Sequence, residues 1–230
     1  GVAGSDVSGV VIQASLGGTV SGQVSFEGTS APPQAKFSVT TTPGPGSVID
    51  VVPPPTRTVQ VREDGSFTLT GLFDERLIRL SGQPAGWMLK AVYLNGRDVT
   101  DTPLSFEGRE NVTGVQVVLT DRVTHVTGTV NDERGQPAET AYVLVFADDS
   151  SKWSTASRFQ RSATVREGAP LKIDGLPPGD YIGVALNLVQ AIDTYDPEFL
   201  ERMRKIGVKF SLREGDTKDL TLKLTDPAAK

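Results

Sequence analysis

From residue 19 onward the chain is written in short runs where apolar and polar residues alternate, parted by Gly, Pro, Asn and Asp. That is the pattern of half-buried strands joined by turns, and it predicts an all-β sandwich architecture. Residues 111–130 show the organisation. Val115, Val117 and Leu119 alternate with polar neighbours, Thr120-Asp121-Arg122 interrupts, and Val126 and Val130 resume, so one strand closes a unit and another opens the next. The closing strand recurs: Val10, Ile12 and Ala14 lie 105 positions before it, and Leu220, Leu222 and Leu224 lie 105 after. In the middle, Leu171, Ile173, Gly175 and Leu176 match Phe67, Leu69, Gly71 and Leu72 at an offset of 104, and Tyr181, Ile182 and Val184 match Leu77, Ile78 and Leu80. A period of about one small domain predicts tandem modules. The expected division is 1–17, an N-terminal extension forming the last strand of a preceding module; 18–120, sandwich 1; and 121–226, sandwich 2.

Two segments depart from the β rhythm. Pro43 to Pro55 holds five prolines and two glycines and reads as an exposed loop or edge, because proline cannot donate to a ladder. Asp196-Pro197-Glu198 followed by Phe199, Leu200, Met203 and the basic Arg204-Lys205 predicts a short helix, with an Asp N-cap, Pro in the first turn and Gly207 as the stop. This helix is expected to close one side or end of the second sandwich.

Composition narrows the function classes. A hydrophobic fraction of 37% in 230 residues, with no apolar run near the roughly 20 residues of a membrane helix, predicts no membrane insertion by this segment. A net charge of -5 argues against nucleic acid, which demands clustered Lys and Arg. No cysteine is present, which removes disulfides, thiolate metal sites and thiol catalysis.

Side chains with potential chemistry mostly have a structural explanation too. His125 is the only histidine, and no nucleophile and orienter accompany it in the sequence. Asp193, Asp196 and Glu198 form an acidic group of the kind calcium uses, although helix capping already accounts for Asp196 and Glu198. Asp148 and Asp149 read as solvated loop carboxylates, and Asp98 and Asp101 as turn-capping groups. Trp153, Arg158, Phe159 and Arg161 are, together with Tyr195, the candidate binding face, since aromatic residues and Arg are favoured at such surfaces; the competing reading is that Trp153 and Phe159 anchor a long loop. Trp87 reads as packing. No cofactor is called for.

Val20-Ser-Gly-Gln-Val24, Asp64-Gly-Ser-Phe-Thr-Leu-Thr-Gly-Leu72, Val126-Thr-Gly-Thr-Val130 and Leu176-Pro-Pro-Gly-Asp-Tyr181 resemble the carboxypeptidase regulatory-like domains, relatives of the prealbumin-like (transthyretin-like) and Cna-B-like sandwiches. Gly86-Trp-Met-Leu-Lys90 with Asn95-Gly-Arg-Asp-Val-Thr-Asp101 is similar to versions found in large secreted or envelope proteins of bacteria. The resemblance implies two tandem antiparallel Ig-like or prealbumin-like sandwiches within a multi-domain exported protein, secreted or in the cell envelope, with their glycines serving turns. It implies a non-catalytic structural or interaction module used for spacing, presentation or domain docking. Expected partners are neighbouring domains of the same full-length chain, a polysaccharide or another envelope protein. The alternative is a carbohydrate- or small-ligand-binding module using the loops around Trp153 and Tyr195. Cross-linking between Lys and Asn, known in some Cna-B relatives, is not expected, because neither opening strand carries Lys. The transthyretin-related hydrolase is excluded by its need for several histidines.

Overall fold

Period-two alternation becomes strand wherever turns bound it. The computed structural model of the chain describes residues 16–31, 36–44, 56–166, 168–187 and 194–226. The expected strand at Val10 to Ala14, most of the proline-rich loop and Asp193 lie outside the described residues.

Strands are numbered in chain order. In the first half, one sheet runs β4 (Ser66–Leu72), β1 (Gly18–Glu27), β9 (Asn111–Thr120), β6 (Met88–Leu94), β7 (Arg97–Asp98). The facing sheet runs β3 (Thr58–Gln60), β2 (Ser38–Pro43), β5 (Asp74–Ser81), β8 (Leu104–Phe106). In the second half, β13 (Leu171–Asp174), β10 (His125–Asn131) and β16 (Thr217–Thr225) lie in one layer. The other layer holds β12 (Gln160–Arg166), β11 (Thr140–Ala147), β14 (Gly179–Leu186) and β15 (Val208–Leu212). The end of β16 runs beside β14 at Leu224 and Thr225 and links the two layers.

The strand order therefore repeats: β4-β1-β9 corresponds to β13-β10-β16, and β3-β2-β5-β8 to β12-β11-β14-β15. The exception lies between β5 and β8, where the first half inserts β6 and β7; between β14 and β15 the second half carries the helix α1 (Pro197–Ile206). Each half closes its own core. Val20, Phe67, Leu69, Val115, Val117 and Leu119 belong to one, and Val126, Val143, Val145, Leu171, Leu220 and Leu222 to the other.

Pairing is antiparallel apart from the short β14–β16 contact and two equivalent places, where the opening strand lies parallel to the closing one, β1 on β9 and β10 on β16. This explains the repeated Val-x-Gly-x-Val. A Cβ on Gly22 would collide with the carbonyl oxygen of Val115, and one on Gly128 with that of Leu220. These two glycines serve close backbone approach inside a strand, not turns.

The helix forms where the sequence places it. Asp196 is the N-cap, its Oδ1 accepting from the Glu198 N–H at 3.1 Å, and Pro197 opens the first turn. Its buried residues Phe199, Leu200 and Met203 cover Leu144, Phe146, Ile182, Val184 and Leu186 on the outer face of β11 and β14. That covering explains why Ala141 to Ala147 lacks polar alternation: both faces of β11 are buried. Each apolar side chain so buried contributes about 1.5–3 kcal/mol before entropy is counted. Gly207 departs from the expected left-handed stop. Its backbone is extended, and a Cβ there would strike Ile182 and Val184, so the glycine lets the helix end settle onto β14. No helix among the described residues is long and apolar enough to cross a membrane.

Candidate functional site at the junction of the sandwiches

Only Asp121 to Thr124 separate β9 from β10, and both sandwiches hold this connection. Asp121 Oδ2 accepts from the N–H groups of Thr29 and Ser30 at 2.8 and 2.7 Å, tying the linker to the turn after β1. Those amides, Ser30 first, hold the Asp121 carboxyl below its ordinary pKa. On the other side, Thr124 Oγ1 donates to the Leu176 carbonyl at 2.5 Å and the His125 N–H to that of Asp216 at 2.8 Å.

Across the junction the contacts are ionic. Asp101, in the connection after β7, receives two guanidinium groups, one from each half. Arg158 Nε donates to both its oxygens at 3.0 and 2.9 Å, and Arg79 Nη2 to Oδ1 at 3.2 Å. Both arginines continue into backbone. Arg158 Nη1 donates to the carbonyls of Leu89 and Lys90, while Arg79 reaches Thr100 in its own half and Ala156 in the other. The arginine side chains are only 13% and 15% exposed, so the clamp acts in a medium less screening than water. Burial lowers the Arg79 pKa, with Asp101 opposing that shift. A second bridge lies nearby: Lys90 Nζ meets Glu27 at 2.6 Å and Glu214 of the second half at 3.1 Å, which raises the lysine pKa. Recesses of about 160 Å³, beside Lys90 and Glu214, and about 190 Å³, beside Arg79 and Arg161, flank Arg158.

The residues expected to form a binding face are placed differently from one another, and Arg161 lines the recess beside Arg79. Arg158 points into the junction. Phe159 is buried between the cations of Lys152, 4.5 Å from its ring centre, and Arg158, at 5.2 Å. Trp153 lies edge-on to Phe146 at 5.8 Å and donates its Nε1–H to the Ala147 carbonyl at 2.7 Å, anchoring the loop. Tyr195 is exposed. Trp87 is buried edge-on against Phe26 at 5.0 Å.

The acidic residues resolve as follows. Asp196 caps the helix, and no group of three or more metal-ligating side chains occurs among the described residues. Asp149 accepts from Ser151, as a turn-capping group does. Asp148 is not a free loop carboxylate: Arg204 and Lys209 bind it and hold its pKa below the ordinary value. Asp98 caps a turn through Thr100, whereas Asp101 is the ionic centre of the junction. His125 Nδ1 lies 2.7 Å from Asp174, but Thr124 and Thr127 donate to Leu176 and Asp219, away from the imidazole. Arg79 was not singled out from the sequence. The available signal was a charge within Leu77-Ile-Arg-Leu80 where the other copy reads Tyr181-Ile-Gly-Val184.

No family model matches the chain, and no curated protein is similar to it. Among solved structures, the TIE protein of Bacillus anthracis matches at 12% identity and a TM-score of 0.30, covering 91% of this chain and 34% of that one. A streptococcal ancillary pilin matches at 14% identity and TM-score 0.32, covering 90% of this chain and 62% of that one. The shaft pilin SpaA of Lactobacillus rhamnosus GG matches at 12% identity and TM-score 0.31, covering 94% and 99%. The chain thus spans about a third of the first and less than two thirds of the second. Likeness of this degree says nothing about what the chain binds or does.

Proposed function

We propose that this chain is a non-catalytic spacer of a multi-domain exported protein, in which modules 18–120 and 121–226 are held in one fixed orientation to present or dock neighbouring domains. The observation that supports this is the Asp101 clamp, in which one carboxylate is shared by guanidinium groups from both halves and backed by backbone carbonyls. Such a device adds little to either core. What it fixes is the angle between them, because the planar guanidinium of Arg158 points its Nε–H at the Asp101 carboxylate and its Nη1 at the Leu89 and Lys90 carbonyls at the same time. A flexible tether would need none of it.

Residual dipolar couplings measured on the intact chain in an aligned medium test the reading. Couplings from both halves should fit a single alignment tensor, with equal magnitude and orientation. Two tensors of different magnitude would show that the halves move independently and would end the proposal.

A further inference from the structure

The recess of about 190 Å³ on one flank of Arg158 has an unbalanced charge. Arg79, Arg158 and Arg161 all line it. Of the acids in reach, Asp101 is shared between Arg79 and Arg158, and Asp174 on the rim is engaged by His125 at 2.7 Å. Arg161 has no acidic partner among the described residues; its Nη1 donates to the Gln160 carbonyl at 2.9 Å. The reason for its position is the strand pattern. On β12, Arg161, Ala163 and Val165 project to one side, and Ala163 and Val165 pack on the core, so Arg161 occupies that same face at the end nearest the first sandwich. In a chain of net charge -5, three guanidinium groups around one concavity are a local excess of positive charge.

We propose that this recess binds a small oxyanion, a sulfate, phosphate or carboxylate group, held between Arg161 and the Arg158 edge not used by Asp101. Nη2 of Arg158, and Nε and Nη2 of Arg161, make no hydrogen bond among the described residues and supply the donors. Planar forks suit this geometry, which a lysine ammonium would not reproduce. Both donor side chains belong to the second half, but Arg79 and Leu89 of the first wall the recess and Asp101 orients Arg158, so the site rests on the closed junction proposed above.

The test is a sulfate titration of the intact chain at constant ionic strength, with chloride replaced, followed through the arginine Nε–H resonances. Saturable shifts at Arg158 and Arg161 are expected. Arg161→Gln should weaken binding at least about tenfold, or 1.4 kcal/mol. Arg161→Lys should restore only part, and Arg166→Gln, at the far end of the same exposed strand, should change nothing. Absence of saturation, or equal weakening by Arg161→Gln and Arg166→Gln, overturns the site. Rotational diffusion measured on the same samples separates the two failures: halves that tumble as one without binding sulfate sink the site alone, and halves that tumble apart sink both ideas.

Discussion

Asp101→Ala removes the carboxylate that both junction arginines share, and its effect can be worked from the contacts. Hydrogen bonds to charged groups contribute about 1.5–3 kcal/mol each. Three such contacts converge on Asp101, but two of them divide the single Nε–H of Arg158, and the carboxylate is 38% exposed, so screening discounts them. We take about 2 kcal/mol for the clamp as a whole, which changes a closed-to-open ratio by roughly 30-fold. Neither core loses an apolar contact, so the consequence falls on orientation. Because the chain has no cysteine, spin labels can be placed uniquely at Glu107→Cys and Glu133→Cys, at the ends of the two halves far from the junction. The parent should give one narrow distance distribution by pulsed electron resonance, and Asp101→Ala a broad one. Salt should act in the same direction, since the Debye length falls from about 10 Å at 0.1 M to about 3 Å at 1 M. An Asp101→Ala distribution as narrow as the parent's at both salt concentrations, in a fully folded sample, would refute the reasoning.

Two other substitutions test the fold and its electrostatics. Gly128→Ala places a Cβ against the Leu220 backbone, so β10 and β16 must part; a loss of about 1–3 kcal/mol is expected, and an unchanged melting temperature would contradict the close-approach account. Asp148 accepts from Arg204 at 2.5 Å and Lys209 at 3.3 Å, which depresses its folded-state pKa below the ordinary value near 3.9. Its contribution is therefore fully present above that value and disappears as pH falls through the depressed one. The stability gap between parent and Asp148→Asn, measured by urea denaturation, should be constant from neutral pH to about pH 4 and close below it.

The sandwich architecture and the helix were legible because both are written in local periodicity. Val115-Gln-Val-Val-Leu119 can only bury one face as a strand, and Asp196-Pro197 with Phe199, Leu200 and Met203 only as a helix. Three features escaped that reading because they depend on what lies opposite in space. Parallel pairing of the opening and closing strands is invisible in either strand alone, and so the glycines of Val20-Ser-Gly-Gln-Val24 and Val126-Thr-Gly-Thr-Val130 looked like turn residues. Gly207 is the helix stop that the local sequence predicts, but its close approach to Ile182 and Val184 on β14 is invisible there for the same reason. Asp101 sits in a polar turn beside Asp98, and sequence spacing gives both the same capping role; only the approach of Arg158, 57 positions away, separates them.

The junction also bears on whether the same joint could be repeated along an array. A head-to-tail array of identical repeats requires each unit to carry both halves of the contact, so that the contact propagates. Here the halves are split. Asp101 lies between β7 and β8, in the segment that the second half replaces with α1, so it has no positional counterpart there. At the repeat offset of 104, Arg79 corresponds to Gly183. The second half therefore has no equivalent of Asp101 or of Arg79 with which to build the same joint again. Its outer sheet is occupied instead by α1, bound through Asp148 and through Phe199, Leu200 and Met203. The residues that make the joint are thus not shared between the two halves, and the contact belongs to this one pair of cores.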